Sequence, residues 1–431
     1  MLGPPLTDLA ISTTIRPPTW SDSLGSASAI RATKTSGQGA PLSKGQVAST
    51  PRKDSNLAPA VIVTRSPSWS SSSTTATDCT LHQIAPYIGR MKTAMARALI
   101  SEYTRAGDLV VDPFCGCGVV PLEAAAGGRR VVAGDWNPYA VALTRAKLFP
   151  PRNVQVAERR LHEVWRLSRE LLETQDLRTV PKWVRSFFHP ATLRSALAFR
   201  DACVERGDDF LIACFLGILH HQRPGFLSYP CSHLVPYLRN RRFPRNHFPE
   251  MYVERNVLER MTAKVHRTLR RAGGCHHASR RVLLADAREF SRLRGIQAVI
   301  TSPPYMNELD YVRDNRLRIW FIARELPVGL EQKRKNREEA FSSLMRNVCV
   351  RLAPGIERGG YFLLVVGDAT RGGGRAGRTA SITEALFQSE PALNSFRLES
   401  TYHDLIPDVR RSRREYRGTR AETVLAFRKC R

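Results

Sequence analysis

The stretch "DLVVDPFCGCGVVPLEAAAGGRRVVAGDWNPYAVALTRAKL", Asp108 to Leu148, decides the fold of this chain. Leu109, Val110 and Val111 make a short apolar run closed by Asp112, and such a run ahead of turn residues reads as a buried strand. Gly116 and Gly118 then let the backbone turn tightly, because glycine accepts left-handed dihedrals without a steric cost. "VVPLEAAA" gives a helix, "RRVVAGD" a second strand ending at Asp135, and "NPYAVALTRAKL" a second helix. A strand, helix, strand succession of this length is a βαβ unit, the start of a parallel α/β sheet.

The same stretch points to a ligand. The first helix directs its N-terminal amides at the turn after Asp112, which suits a small polar group. Asp135 follows Asp112 by 23 positions (135 − 112), close to the ~20-residue offset at which an acidic side chain meets ribose hydroxyls. The loop itself carries no basic residue. That disfavours a pyrophosphate and favours a ligand built from adenosine and an amino acid.

Sheet character returns in "RVLLADA" and "QAVITSPPY", then in "YFLLVVGD" and "AETVLAF", with the helical segment "FSSLMRNVCVRL" from Phe341 to Leu352 among them. Between the two halves, residues 149–281 look mostly helical. Leu161, Val164, Trp165 and Leu172 share a face there, and Val253, Val257, Met261, Val265 and Leu269 recur every fourth residue. The expected architecture is therefore a sheet domain in two parts, 81–148 and 282–431, split by a helical insertion. Residues 1–80, rich in Ser, Thr, Pro and Gly, have too little apolar surface to offset their ordering entropy and are expected to be disordered.

The 431 residues carry 66 Lys and Arg against 39 Asp and Glu, a formal charge of +27, which favours a polyanionic partner such as nucleic acid. The 9 cysteines are scattered without a repeated spacing, as for reduced thiols in the cytoplasm. Cys231, His233, Cys275, His276 and His277 match no zinc-ligand spacing, so no metal is expected. "FLIACFLGIL", Phe210 to Leu219, is too short to span a bilayer, and "MLGPPLTDLA" lacks the basic start and apolar run of a signal peptide.

Ser302, Pro303, Pro304 and Tyr305 end the strand at 297–301. Two prolines fix φ twice and remove two donors, leaving rigid acceptors free to face a ligand. "TSPPY" resembles the catalytic loop of the amino-group DNA methyltransferases, whose acceptor is an exocyclic base amine, a poor nucleophile because its lone pair is delocalised into the ring. Ser302 Oγ and the Pro303 carbonyl are acceptors that would draw its two N–H groups toward tetrahedral geometry. Tyr305 offers a face for a base taken out of a duplex. Pro230-Cys231, a pair that would suit covalent attack on a ring carbon, lies instead within the helical block.

"DPFCGCG", "GDWNP", "ADARE" and "TSPPY", in this order, resemble the amino-group DNA methyltransferases, which use S-adenosylmethionine to methylate cytosine N4 or adenine N6. "HQIAPYIGRMK" resembles the family segment that closes over the methionine part of the cofactor. The resemblance implies a Rossmann-like sheet of seven strands. It assigns Asp112, Pro113, Phe114, Gly116 and Gly118 to the cofactor loop, Asp135 and Asn137 to the ribose end, and Asp286 to the adenine edge. Ser302, Pro303, Pro304 and Tyr305 become the catalytic loop. Cys115 and Cys117 stand where family members often have Ala and Ser, also small.

Within that family Ser-Pro-Pro-Tyr goes with cytosine N4, so the expected partner is DNA and the expected product N4-methylcytosine. Adenine N6, an RNA amine methyltransferase and a non-catalytic DNA-binding protein of the same fold are the alternatives. "PYLRNRRFPRNHFPEMY" interleaves Arg239, Arg241, Arg242 and Arg245 with aromatic residues, as phosphate contact with stacking requires, which makes the insertion the candidate for target recognition. "DVRRSRREYRGTR" adds a second basic cluster. A target sequence and an accompanying restriction nuclease leave no mark in the chain.

Overall fold

Leu109 to Asp112 are buried at every position, not alternately, because this strand sits inside a sheet covered on both faces. The computed structural model describes residues 63–65, 67–69, 78–230, 243–273, 279–290, 292–304, 311–324, 337–368, 378–405 and 421–430. Tyr305, Arg239, Arg241, Arg242, Cys231, His233, Cys275 to His277 and the second basic cluster lie outside the described residues.

The strands are β1 (Val63–Arg65), β2 (Leu109–Asp112), β3 (Arg130–Asp135), β4 (Arg280–Leu284), β5 (Ile296–Thr301), β6 (Ile356–Asp368), β7 (Phe396–Leu405) and β8 (Ala421–Lys429). They form one sheet in the order β1-β7-β8-β6-β5-β2-β3-β4. β8 runs antiparallel to β6 and β7, and the other pairings are parallel. This is the α/β class and the Rossmann-like sheet that the sequence implies. The eighth strand is β1, three residues paired to Ser400–Tyr402 at the edge. It lies in the stretch whose composition reads as disordered, as does Trp69, which is 2% exposed with its ring 5.2 Å from that of Tyr402. A few apolar residues in a polar tail suffice to dock it when a sheet edge offers backbone partners.

The helices are α1 (Thr93–Tyr103), α2 (Val119–Ala126), α3 (Pro138–Leu148), α4 (Val154–Glu170), α5 (Lys182–Arg185), α6 (Pro190–Glu205), α7 (Asp209–Leu219), α8 (Val257–Leu269), α9 (Tyr311–Ala323), α10 (Arg337–Leu352) and α11 (Arg378–Ser389). The described regular elements between β3 and β4 are helical throughout, α3 to α8 with short 3-10 turns. α4 buries Ala157, Leu161, Val164 and Ser168, one stripe of an amphipathic helix. α7 is buried from Phe210 to Leu219 and forms the centre of this block. Met261 and Val265 face inward as their spacing predicts, whereas Val253 precedes α8 and is 45% exposed.

This helical block shares its core with one face of the sheet: Val110, Ala133, Ala298 and Ile300 join Leu161, Phe199 and Phe215 in one apolar cluster. The other face is covered by α10 and α11, where Val111, Val299 and Phe362 meet Met345, Val348 and Phe387. The segment before α1 is stitched to the block. The Thr80 hydroxyl donates to the Thr268 carbonyl at 2.7 Å, and Lys264 Nζ donates to the Gln83 carbonyl at 3.0 Å. Gly217 lets α7 approach this segment, since a Cβ there would come within 2.1 Å of the Ile84 carbonyl oxygen.

Candidate active site

From β2 the chain winds outward through β3 and β4, then returns to the other side of β2 with β5. The strand order thus reverses between β2 and β5, and in open α/β sheets the crevice beyond the strand ends at such a point is where ligands bind. A hydrogen bond closes the gap there. Thr301, the last residue of β5, donates from its hydroxyl to Asp112 Oδ1 at the end of β2, at 2.6 Å. The Phe114 amide also donates to Asp112 Oδ1, at 3.3 Å. Burial pushes the Asp112 carboxyl up to about 7, and the neighbouring Asp135 adds to the effect.

The loop after β2 is shaped by its glycines. Gly116 and Gly118 have φ of 49° and 73°, and a Cβ on Gly118 would lie 2.6 Å from Thr144 Oγ1. Thr144 donates instead to the Gly116 carbonyl at 3.1 Å, so α3 packs directly on the loop. Asp135, at the end of β3, accepts from the Gly116 amide at 2.9 Å and from the Asn137 amide at 2.9 Å. Burial pushes this carboxyl up to about 6, with the backbone amides opposing. Asn137 caps α3 by accepting from the Tyr139 amide at 3.0 Å, and its buried Nδ2 has no partner.

One pocket gathers most of the residues expected at the site: Asp112, Phe114, Gly116, Asp135, Asn137, Ser302 and Pro304 all line it. Pro113, Gly118 and Pro303 are buried and lie outside that lining. The segment before α1 supplies the facing wall through Tyr87, Gly89, Arg90 and Met91. Arg90 is held there by donating from Nη1 to the His82 carbonyl at 2.8 Å. Trp136, 42% exposed, stands on the rim beside Asp135. Motif reading passed over Trp136, whose place directly after Asp135 sets its exposed ring at the rim.

Two further candidate residues lie outside this lining, Asp286 after β4 and Arg245 in the insertion, where it was expected as a nucleic-acid contact. Asp286 does not line the pocket, and its carboxylate pairs with Arg288 at 2.5 Å and caps a short 3-10 turn. Arg245 is exposed in its own segment, its guanidinium 4.8 Å from the Tyr252 ring. Sequence reading also missed the group behind the loop. His82 Nε2 meets Glu123 Oε1 at 2.7 Å and Arg97 donates to Glu123 Oε2 at 2.9 Å, tying α2 to the segment before α1. Burial alone would raise the Glu123 carboxyl, but these two partners hold it below its ordinary range.

The donor set fits S-adenosylmethionine. Two buried carboxyl groups suit a cation and a diol, the unpartnered Asn137 Nδ2 offers a donor, and Phe114 and Trp136 offer apolar faces. The loop provides backbone amides without a cationic side chain of its own, and Arg90 in the facing wall is a single positive charge near it. At about 80 Å³ the pocket is smaller than the 300–1000 Å³ usual for such ligands.

Comparison with known proteins places this geometry. The family described as UPF0020, RMKL-like, methyltransferase domain matches residues 84–167, the segment from the wall of the pocket through α4. The tRNA (guanine(10)-N2)-dimethyltransferase of Methanothermobacter thermautotrophicus is 40% identical over 63 residues, which are 14% of this chain and 19% of that protein. The match therefore spans less than a fifth of that relative's length. Among solved structures, TrmN from Thermus thermophilus is 13% identical with a TM-score of 0.33, over 81% of this chain and 52% of that one. An rRNA methylase from Streptococcus thermophilus is 10% identical with a TM-score of 0.31, over 79% and 98%.

Residues 84–167 thus match a methyltransferase-domain family. The assignment to amino-group DNA methyltransferases is overturned, because the matching family and the curated relative are of another kind, the latter named for tRNA. DNA as partner, cytosine N4 as target and a companion restriction nuclease fall with it. The physical reason for the error lies in what the motif reads. A Ser-Pro-Pro motif is read for the amine its acceptors would address, and that reading carries no information on the sugar that tells RNA from DNA.

Proposed function

We propose that this chain transfers a methyl group from S-adenosylmethionine to an exocyclic amine of a base in RNA. The observation that carries the proposal is that Ser302 and Pro304 line the same pocket as Asp112 and Asp135, so amine and cofactor chemistry share one cavity. The name of the curated relative, a tRNA guanine-N2 enzyme, supports RNA as the carrier and a base amine as the acceptor. The charge of +27 suits a polyanion.

The bound cofactor would supply an electrophilic methyl group on a sulfonium. Asp135 and Asn137 hold the ribose end, the amides around Gly116 and Arg90 face the amino-acid end, and Ser302 Oγ with the Pro303 carbonyl accept from the amine. Drawing both N–H groups out of the ring plane frees the nitrogen lone pair for in-line attack, and rigid positioning supplies much of the rate. Tyr305 follows in sequence as the stacking face. The helical block between β3 and β4 recognises the target.

The test uses labelled S-adenosylmethionine with bulk RNA and with bulk DNA from cells lacking the protein, followed by digestion to nucleosides. Label in RNA on an exocyclic amine is the expected result. Label confined to DNA, or on a ring carbon, contradicts the proposal.

A further inference from the structure

A second cavity lies at the opposite end of the same strands. It is a wide cleft of about 1060 Å³, and Arg288, Arg292, Arg294, Arg346 and Arg351 line it. Leu293 and Gly295 there lead into β5, and Pro354 and Gly355 lead into β6, so most of the cleft lies at the N-terminal ends of these strands, while Arg288 reaches it from beyond the C-terminal end of β4. β5 has six residues, which separates this cleft from Ser302 by about 20 Å. It also lies on the α10 face, away from the helical block.

The charges in the cleft are not balanced. Five arginines line it against Glu357 and Glu390, a lining charge of +3 (5 − 2). Arg346 pairs with Glu390 at 2.5 Å and Arg288 with Asp286, while Arg351 donates to the Phe290 carbonyl. Arg292 and Arg294 are exposed, and among the described residues no carboxylate pairs with either. Guanidinium groups presented in a concave surface favour phosphate over other anions, because their fork matches two phosphate oxygens. A small anion would use one such fork. Arg292 and Arg294, two positions apart and without a carboxylate partner among the described residues, suit neighbouring phosphates of a chain.

We propose that this cleft is a phosphate-backbone docking site for the RNA substrate, holding a segment about 20 Å from the base that enters the pocket at Ser302. The inference rests on the proposed RNA methylation and adds a requirement to it. The substrate must be a folded RNA, large enough to reach both ends of the sheet along the α10 face. Arg292 and Arg294 are substrate-positioning residues that touch neither the cofactor nor the reacting amine.

The experiment measures affinity for bulk transfer RNA as a function of salt, and methyl transfer in the same preparations, for the full chain and for Arg292→Ala/Arg294→Ala. Each lost phosphate contact should flatten the log-log salt slope by up to about one unit. The expected result is a slope reduced by about one to two, with a higher KM for RNA, an unchanged kcat and unchanged cofactor affinity. Arg292→Lys/Arg294→Lys should restore most of the slope, since the charge is kept. Arg105→Ala/Arg397→Ala, at exposed positions outside both the cleft and the helical block, is the charge-matched control and should leave the slope near that of the parent. An unchanged slope in the cleft variant, an equal loss in the Arg105/Arg397 control, or an effect only on inorganic pyrophosphate binding would each overturn the docking site. If RNA accepts no methyl group at all, the proposed function fails, while the salt slope still decides whether the cleft binds RNA.

Discussion

Asp135 spends both carboxylate oxygens on backbone amides, one from Gly116 and one from Asn137, and so fixes the loop and the start of α3 together. Each oxygen keeps a lone pair for a ribose hydroxyl. Asp135→Ala should therefore weaken cofactor binding by about 1 to 3 kcal/mol through lost charged hydrogen bonds. Calorimetry on the folded variant checks this, and unchanged affinity would remove Asp135 from the site. Its importance was legible because the 23-residue spacing from Asp112 is a local property of one βαβ unit. The bond from Thr301 to Asp112 was not legible, since 189 positions separate the two and only the sheet order brings them together. The ion pair of Asp286 with Arg288 was not legible either, because the motif order says nothing of where a neighbouring cation turns.

At the scale of elements, the wall of the pocket is held from outside by α7 and α8. Gly217→Ala would put a methyl group against the Ile84 carbonyl at 2.1 Å, a backbone clash that no side-chain rotation relieves. The expected cost is about 1 to 3 kcal/mol of stability, as for other overpacked cores. Because the displaced segment carries Tyr87, Arg90 and Met91, cofactor affinity should fall as well. Denaturant unfolding and cofactor titration on the same variant test both parts, and lost stability with unchanged affinity would show that the wall is independent of α7. The strands and amphipathic helices were legible from apolar spacing. The stitching of the pre-α1 segment to α8 was not, because a buried lysine donating to a carbonyl leaves no pattern in sequence.

For the molecule as a whole, two buried carboxyl groups with raised pKa values set an opposition between stability and binding. Asp112 and Asp135 lie at about 7 and about 6 when folded, above the ordinary 3.8, so the folded state takes up protons more readily than the unfolded one. Their contribution to stability is full below the ordinary value and is lost as pH rises through 6 to 7. Binding of a cation runs the other way, tightening as the same groups ionise. Melting temperature of the free chain should fall over this range while cofactor affinity rises, and Asp112→Asn should flatten both. Parallel pH dependences in the parent would contradict the assignment. The Rossmann-like sheet was legible here because its βαβ start and late strands are strongly apolar. The carrier of the base was not, since an amine-directed motif is silent about the sugar. The central claim is that Ser302 acts on an amine within the cavity that holds the cofactor. Single-turnover transfer of labelled methyl to RNA at saturating cofactor tests it most directly in Ser302→Ala. The account predicts a rate lower by about ten- to a hundredfold, as one lost polar contact in the transition state implies, with cofactor affinity preserved. A near-normal rate in the folded variant would contradict it and leave Ser-Pro-Pro as a rigid end to β5.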